Sequence, residues 1–254
     1  MLRGQAPGDR RGPVPLHPRV VRSLSIPLPQ PLLPGRFLRR LNRFAAEVEV
    51  AGSVRHVHLP NSGRMEELLV RGAAVRVHPT DSGRTWGTLL LVRHHRRWVG
   101  LDSHLPNRLW ETALRAGGLP PVLGVRHWER EVRVRGERMD FRVWAARGVW
   151  LVEIKSCNRV ANGVALFPDA PTARGARHLR FLSRWAHRGG LAAVVWFVQR
   201  DDATRLRLDQ LADPELAAAG AQAVQAGVVL CAYRCRVDLR AVRVRDPIPV
   251  EVPV

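Results

Sequence analysis

Residues 138–155 have the sequence RMDFRVWAARGVWLVEIK, in which apolar and polar residues alternate on both sides of a short turn. The alternation predicts two strands, and Ala146-Arg147-Gly148 predicts the turn that joins them into a hairpin. Glu153 and Lys155 are two residues apart, so they face the same side of a strand. A turn centred on residues 147 and 148 places Asp140 opposite Glu153 or Lys155, within roughly 5–8 Å. The hairpin therefore predicts two carboxylates and one ammonium on one patch of sheet.

Lys155 is the only lysine in a chain with 41 basic residues. Lysine carries a compact ammonium group whose pKa can be shifted, whereas arginine carries a planar guanidinium group that stays protonated. All the other basic positions, counting lysine and arginine, are arginine. The lysine at position 155 therefore indicates that arginine would fail there. The alternative is that one lysine survived by chance in a hairpin of solvated, salt-bridged charges.

Two carboxylates and one ammonium suit metal-dependent phosphodiester hydrolysis. Mg²⁺ takes oxygen ligands from one or two carboxylates and several waters, and Mn²⁺ suits the same donors. Such a metal polarises a phosphoryl oxygen and acidifies a bound water, while a nearby lysine orients that water or neutralises charge on the phosphate. We predict Asp140, Glu153 and Lys155 as catalytic residues, and Asp140 and Glu153 as ligands of Mg²⁺ or Mn²⁺. Glu131, on the preceding strand, is a further candidate ligand.

The charge of the chain points to a polyanionic partner. The 254 residues carry a net charge of +19, with a pI of about 11.7. Nucleic acid is the commonest partner for such a surplus, although an arginine bias of the whole genome would give the same composition without a partner. Three cysteines are too few for a disulfide framework and predict a reducing, cytoplasmic environment. No apolar run approaches the ~20 residues that a membrane span needs, so we expect no membrane association.

The chain divides into four segments by composition and periodicity. Residues 1–35 contain eight prolines and predict a leader that is disordered or loosely docked. Residues 36–106 alternate in five short strands, with a short helix at Arg64–Val70, and predict an OB-like β-barrel that binds DNA. Residues 107–120 predict a linking helix and linker. Residues 121–254 follow a β-β-β-α-β-α-β order, which predicts an α/β domain with a mixed sheet ending in a strand at Val228–Cys235.

From Leu32 to the C-terminus the chain resembles the sugar fermentation stimulation protein A family. The resembling stretches are Gly35-Arg36-Phe37, Pro60-Asn61-Ser62-Gly63-Arg64-Met65, Asn107-Arg108-Leu109, Arg138-Met139-Asp140-Phe141, Glu153-Ile154-Lys155-Ser156 and residues 167–179, FPDAPTARGARHL. The resemblance implies an OB-like N-terminal domain and a C-terminal domain similar to the PD-(D/E)xK restriction-endonuclease-like nucleases. It also implies non-specific DNA binding, a suspected metal-dependent nuclease activity and a regulatory role in sugar metabolism.

The motif of that nuclease class falls by position on Asp140, Glu153 and Lys155. The chain departs from the family at Ala161-Asn162, where members often carry an acidic pair, and at Arg177, where lysine is usual. The missing acidic pair puts a catalytic role of that loop in doubt but leaves the three motif residues whole.

Arginines at helical spacing follow the FPDA segment and predict one basic stripe. Phosphate contacts of this kind position a nucleic acid without reading its sequence. The predicted nucleic-acid contacts are Arg36, Arg64, Arg108, Arg174, Arg177, Arg180 and Arg184. For any one of these arginines the alternative is a solvated surface.

The leading hypothesis is a DNA-binding protein without sequence preference that carries a Mg²⁺-dependent phosphodiesterase site. The first alternative is a DNA-binding regulator with no catalytic activity. The second is an RNA-binding protein or ribonuclease that works through the barrel. The oligomeric state stays open, with a dimer as one option.

Overall fold

The computed structural model describes residues 24–80 and 84–253. The strands before the first helix are β1 (Ser25–Pro27), β2 (Leu33–Asn42), β3 (Ala45–Val50), β4 (Ser53–His58), β5 (Ala74–Pro79), β6 (Gly87–His94) and β7 (Arg97–Gly100). The helices are α1 (Leu105–Arg115), α2 (Ala173–His187) and α3 (Pro214–Gln225). The later strands are β8 (Gly118–Leu119), β9 (Val122–Leu123), β10 (His127–Val134), β11 (Glu137–Ala145), β12 (Gly148–Cys157), β13 (Val160–Ala161), β14 (Val164–Phe167), β15 (Leu191–Val198), β16 (Arg205–Leu208), β17 (Val229–Val237), β18 (Ala241–Ile248) and β19 (Val250–Glu251).

Strands β2 to β6 form a closed five-stranded barrel, which confirms the predicted OB-like domain. Strand β2 pairs with β3 and β5, β3 with β4, and β5 with β6, and a parallel pairing of β4 with β6 closes the circle. Val48, Val57, Val75 and Leu89 point inward and are fully buried, as the period of two requires. Strand β7 extends the barrel as a hairpin with β6.

The sequence pattern did not predict strand β2, the longest strand of the barrel. Its pairing with β3 shifts register between Phe37 and Arg39, and again between Arg40 and Asn42. Each shift inserts an extra residue and interrupts the alternation that marks a strand. Residues 64–70, predicted as one or two helical turns, make a single turn in which Leu68 N and Leu69 N donate to Met65 O.

The second domain is built on a seven-stranded sheet in the order β1-β18-β17-β15-β12-β11-β10. Strand β15 lies at its centre and runs parallel to β12 and β17, while the outer pairs are antiparallel, so the sheet is mixed as predicted. Helix α1 packs on one face and helices α2 and α3 pack on the other. Val152 belongs to the core under α1, whereas Leu151 belongs to the core under α2. Glu153 and Lys155 therefore share the face that α2 covers.

Two parts of this domain differ from the sequence prediction. The strand predicted at Val228–Cys235 is β17, but β18 and β19 follow it, and a four-stranded sheet of β13, β14, β16 and β19 lies beside the main one. The sequence pattern did not predict these strands, because most have only two to four residues and β18 contains Pro247. Proline is tolerated at position 247 because β18 has a partner strand on one side only there: β17 pairs with Pro247, whereas β1 pairs with residues 241–243.

The prediction of a disordered leader over residues 1–35 is wrong for residues 24–35. Strand β1 pairs with β18 along the edge of the main sheet, with Ile26 opposite Val242. Leu24 and Leu28 are buried in the core under α1. The prolines around them hid the pattern, because an edge strand accepts residues that lack an N–H. Residues 1–23, to which the rest of that prediction applies, lie outside the described residues. No helix in residues 24–80 and 84–253 is long and apolar enough to cross a membrane.

Candidate active site

The hairpin of β11 and β12 brings Asp140 to the strand that carries Glu153. Phe141 pairs with Val152, so Asp140 is the next residue along and lies opposite Glu153. The Oδ2 atom of Asp140 accepts a hydrogen bond of 2.8 Å from the backbone N–H of Ile154. Gly148 begins β12 at a φ of 125°, a left-handed value that favours glycine and fixes the register of the two strands. The three predicted catalytic residues therefore lie together on the sheet.

The Glu153 side chain is almost fully buried and shares one of its oxygens between two nitrogen donors. Its Oε1 lies 2.5 Å from Lys155 Nζ and 2.6 Å from Nδ1 of His178. Its Oε2 is buried without a hydrogen-bond partner among the described residues. Burial opposes ionisation, but Lys155 and His178 outweigh it and lower the pKa of Glu153 to about 2. Glu153 is thus a carboxylate at neutral pH with one oxygen left unpaired.

Asp140 has the opposite electrostatic character. Burial raises the pKa of its carboxyl, the negative charge of Glu153 raises it further, and Lys155 offsets only part of the effect. Two carboxylates that approach each other in a desolvated site disfavour double ionisation. A bound cation would relieve this repulsion.

The donor set fits a hard divalent cation. A buried, unpaired Oε2 of Glu153 beside the carboxylate of Asp140 offers oxygen ligands of the kind that Mg²⁺ prefers. Within residues 24–80 and 84–253, no three His, Cys, Asp or Glu side chains form a group that could hold a metal. A cation bound here would have these two carboxylates as protein ligands, and water would supply the others, as is usual for Mg²⁺.

Glu131 does not join this site, so its prediction as a further metal ligand is corrected. Its φ of 53° interrupts the pairing of β10 with β11 between Arg130 and Val132. Its side chain, which is 59% exposed, forms an ion pair of 2.6 Å with Arg138. The local twist turns the carboxylate toward solvent. The alternation of apolar and polar residues in the sequence does not reveal this conformation.

His178 is a site residue that sequence reasoning missed. Helix α2 begins at Ala173, and the side chain of Thr172 caps it by accepting from Gly175 N at 3.1 Å. One turn later, His178 lies on the buried helix face beside Leu179. A polar side chain predicted on such a face must find a partner inside the protein, and that argument could have found it.

A cavity of about 450 Å³ lies against Lys155 at the junction of the two domains. Residues 154–158 and 167–175 line it from the α/β domain, and Arg43, residues 61–63, Met65 and Ser103 line it from the barrel side. Met65 N donates to Asp169 Oδ2 at 2.6 Å, and the Asn61 amide donates to Asn158 Oδ1 at 3.3 Å. These bonds hold the barrel against the site, so a ligand of Lys155 would contact both domains.

The predicted nucleic-acid arginines fall into two groups. Four make contacts within the protein: Arg36 to Gly72 O, Arg108 to Asp102, Arg177 to Glu137, and Arg180 to Glu215. Arg64, Arg174 and Arg184 are exposed and make no ion pair with any described residue. Arg174 is the predicted arginine that lines the Lys155 cavity.

Comparison with known proteins identifies the family. The model of the sugar fermentation stimulation protein RE domain matches residues 104–241, and that of the SfsA N-terminal OB domain matches residues 38–101. The chain belongs to the sugar fermentation stimulation protein family. This finding confirms the resemblance stated from the sequence.

SfsA-family relatives match along most of the chain. The sugar fermentation stimulation protein homolog of Moorella thermoacetica is 39% identical over 231 residues, which span 89% of this chain and 100% of that protein. The homolog of Acetivibrio thermocellus is 41% identical over 226 residues, covering 88% and 96%. A solved structure of Pyrococcus furiosus SfsA in complex with Ca²⁺ is 28% identical, with a TM-score of 0.83 and coverage of 91% and 99%.

Proposed function

We propose that this SfsA-family protein binds DNA without sequence preference and hydrolyses its phosphodiester bonds with Mg²⁺ at Asp140, Glu153 and Lys155. One observation carries the proposal: the ionised Glu153 keeps a buried, unpaired Oε2 beside Asp140, and Lys155 borders a cavity of about 450 Å³. A buried carboxylate oxygen without a partner is costly and calls for a ligand. The family model's description as an RE domain and the Ca²⁺ in the Pyrococcus furiosus relative agree with that ligand being a hard cation.

The residues of the chain would divide the chemistry between them. A divalent cation held by Asp140 and Glu153 would polarise the phosphoryl oxygen and acidify the attacking water. Lys155, whose ammonium contacts Glu153, would orient that water or neutralise charge that develops on the phosphate. Arg174, exposed at the same cavity, would hold a neighbouring phosphate. Water adds to phosphorus and the strand oxygen leaves with a proton, so the products are two shorter strands.

The net charge of +19 supports a nucleic-acid substrate, and contacts to phosphate alone give no sequence preference. The relatives' names alone extend the proposal to a regulatory role in sugar metabolism. The assay compares labelled DNA and RNA strands, in Mg²⁺ and in EDTA, with wild type and Asp140→Ala. We expect DNA cleavage by wild type in Mg²⁺ and none in EDTA or with the variant.

Three results would overturn the proposal or redirect it. Cleavage that is unaffected by both Asp140→Ala and EDTA would rule out the proposed metal site. Binding without any turnover would favour the non-catalytic regulator. A clear preference for RNA would favour the ribonuclease.

A further inference from the structure

The tip of the hairpin between β2 and β3 presents an aromatic ring to solvent. The Oδ1 atom of Asn42 accepts from Phe44 N at 2.8 Å and closes the turn. Phe44 is 50% exposed, although Phe37 on the same hairpin is buried in the barrel. Single exposed apolar residues are common on protein surfaces, so exposure alone assigns no role. The surroundings of the ring decide the case.

Arg40 fastens this tip to the loop that lines the Lys155 cavity. Its guanidinium donates to the main-chain oxygens of Asn42 and Arg43 at the tip, at 3.1 and 2.8 Å. The same group donates to the oxygens of three residues in the loop: Asn61 at 3.1 Å, Gly63 at 2.5 Å and Arg64 at 3.0 Å. Five bonds from one planar fork hold the tip in one position. A preorganised contact of this kind binds a ligand with little loss of conformational entropy.

Arg43 connects the ring to the cavity. It lines the cavity that Lys155 borders, and its guanidinium carbon lies 5.8 Å from the centroid of the Phe44 ring. A cation at the cavity rim and an exposed aromatic face therefore stand side by side. A single strand of nucleic acid likewise places a phosphate next to each base, which a cation beside an aromatic ring can match. Proteins bind such strands with a basic groove and stacking aromatic rings. The loop between the first two strands of an OB barrel is one of those that contact oligonucleotides.

We propose that Phe44 stacks on an unpaired base of the strand that enters the Lys155 cavity, while Arg43 contacts an adjoining phosphate. The inference rests on the proposed function for the role of Lys155, and it adds the substrate class: single-stranded nucleic acid, or duplex with an unpaired segment. A base inside a duplex has both faces covered by its neighbours and offers none to the ring. Intact duplex would therefore bind through its phosphates alone.

The test measures binding of an oligonucleotide that carries 2-aminopurine, whose fluorescence is quenched when the base stacks. The full-length wild type, Phe44→Ala, Phe44→Leu and Val54→Ala are compared in EDTA with single strand and duplex. Val54 is the matched control because it is 58% exposed on the same barrel. We expect Phe44→Ala and Phe44→Leu to weaken single-strand binding roughly tenfold and to lose the quenching. Val54→Ala should behave as wild type, and duplex binding should be unchanged.

Equal single-strand affinity and quenching in wild type and Phe44→Ala would overturn the inference, as would wild-type protein that does not bind single strands. Because binding is measured in EDTA, the result is independent of turnover. Quenching that depends on Phe44, with no cleavage in Mg²⁺, would contradict the proposed nuclease activity and still support the stacking site. Cleavage in Mg²⁺ with no contribution from Phe44 would do the reverse.

Discussion

The Nδ1 atom of His178 lies 2.6 Å from Oε1 of Glu153, and both side chains are almost completely buried. The other ring nitrogen, Nε2, is 4.0 Å from Oε2 of Glu137, so the imidazole stands between two carboxylates. His178 and Lys155 both bond to Oε1 of Glu153, which leaves Oε2 for a further ligand. Helix α2 thus orients the carboxylate that strand β12 supplies.

Loss of this contact should weaken Mg²⁺ binding more than it destabilises the fold. We expect His178→Ala to raise the Mg²⁺ concentration needed for half-maximal cleavage by about 10- to 100-fold, because groups that orient a metal ligand contribute on that scale. His178→Asn keeps an N–H donor near the position of Nδ1 and should retain most of the affinity. The measurement is a Mg²⁺ titration of cleavage at a temperature where all three proteins are folded. Identical Mg²⁺ requirements would show that His178 is only a packing residue.

Asp140 should lower the stability of the metal-free protein at neutral pH. Its pKa is raised in the folded state, chiefly by burial, so its contribution to stability is fully present below its ordinary pKa and is lost as the pH rises through the raised value. Asp140→Asn, which cannot ionise, should therefore raise the melting temperature in EDTA at pH 7 while abolishing cleavage. The gain should disappear in acid, where wild-type Asp140 is protonated.

Glu131→Gln is the control for this experiment, since Glu131 is exposed and lies outside the site. It should change the melting temperature little at either pH. A lower melting temperature for Asp140→Asn at pH 7 would contradict the electrostatic account of the site.

Mg²⁺ should stabilise the protein through the same two carboxylates. A ligand that binds only the folded state adds about 2.7 kcal/mol at 100 times its Kd, which a thermal melt resolves. We expect Mg²⁺ to raise the melting temperature of wild type and of Glu131→Gln, and to leave Asp140→Asn and Glu153→Gln unchanged. An equal shift in all four proteins would place the ion elsewhere.

The sequence predicted the hairpin at the heart of the site because its pattern is local. Alternation defined β11 and β12, the turn at Gly148 set their register, and a period of two placed Glu153 and Lys155 on one face. The central strand, Leu191–Val198, is local in the same sense, because its unbroken apolar run has the length of a buried strand. In these segments each residue's environment follows from its own strand and turn.

The missed features depend on partners that are remote in sequence. His178 becomes a site residue only because α2 packs over β12, and its Glu153 partner is 25 residues away. Strand β1 is ordered by β18, more than 200 residues later, and no local pattern in a proline-rich stretch can show it. The misplaced ligand, Glu131, failed for the opposite reason, since a local twist with positive φ overrode a correct strand prediction.

Arg40→Lys should loosen the hairpin tip. Lysine cannot reproduce a planar fork that meets five carbonyl oxygens, although it keeps the charge. We expect weaker single-strand binding and faster amide hydrogen exchange at residues 42–44 and 61–65. Arg39→Lys is the matched control, because Arg39 is 65% exposed and its ion pair among the described residues is with Glu47. Similar exchange in the two variants would mean that Arg40 does not hold the tip.

Cleavage by Lys155→Arg tests the central claim most directly. Lys155 is 19% exposed and lies 2.5 Å from Glu153, where a longer planar cation cannot take the position of an ammonium. The account predicts that this variant, assayed in Mg²⁺ beside the charge-conserving control Arg39→Lys, loses cleavage by at least about 100-fold. Its affinity for DNA in EDTA should stay within about twofold of wild type, because the net charge is unchanged. Wild-type cleavage by Lys155→Arg would contradict the account.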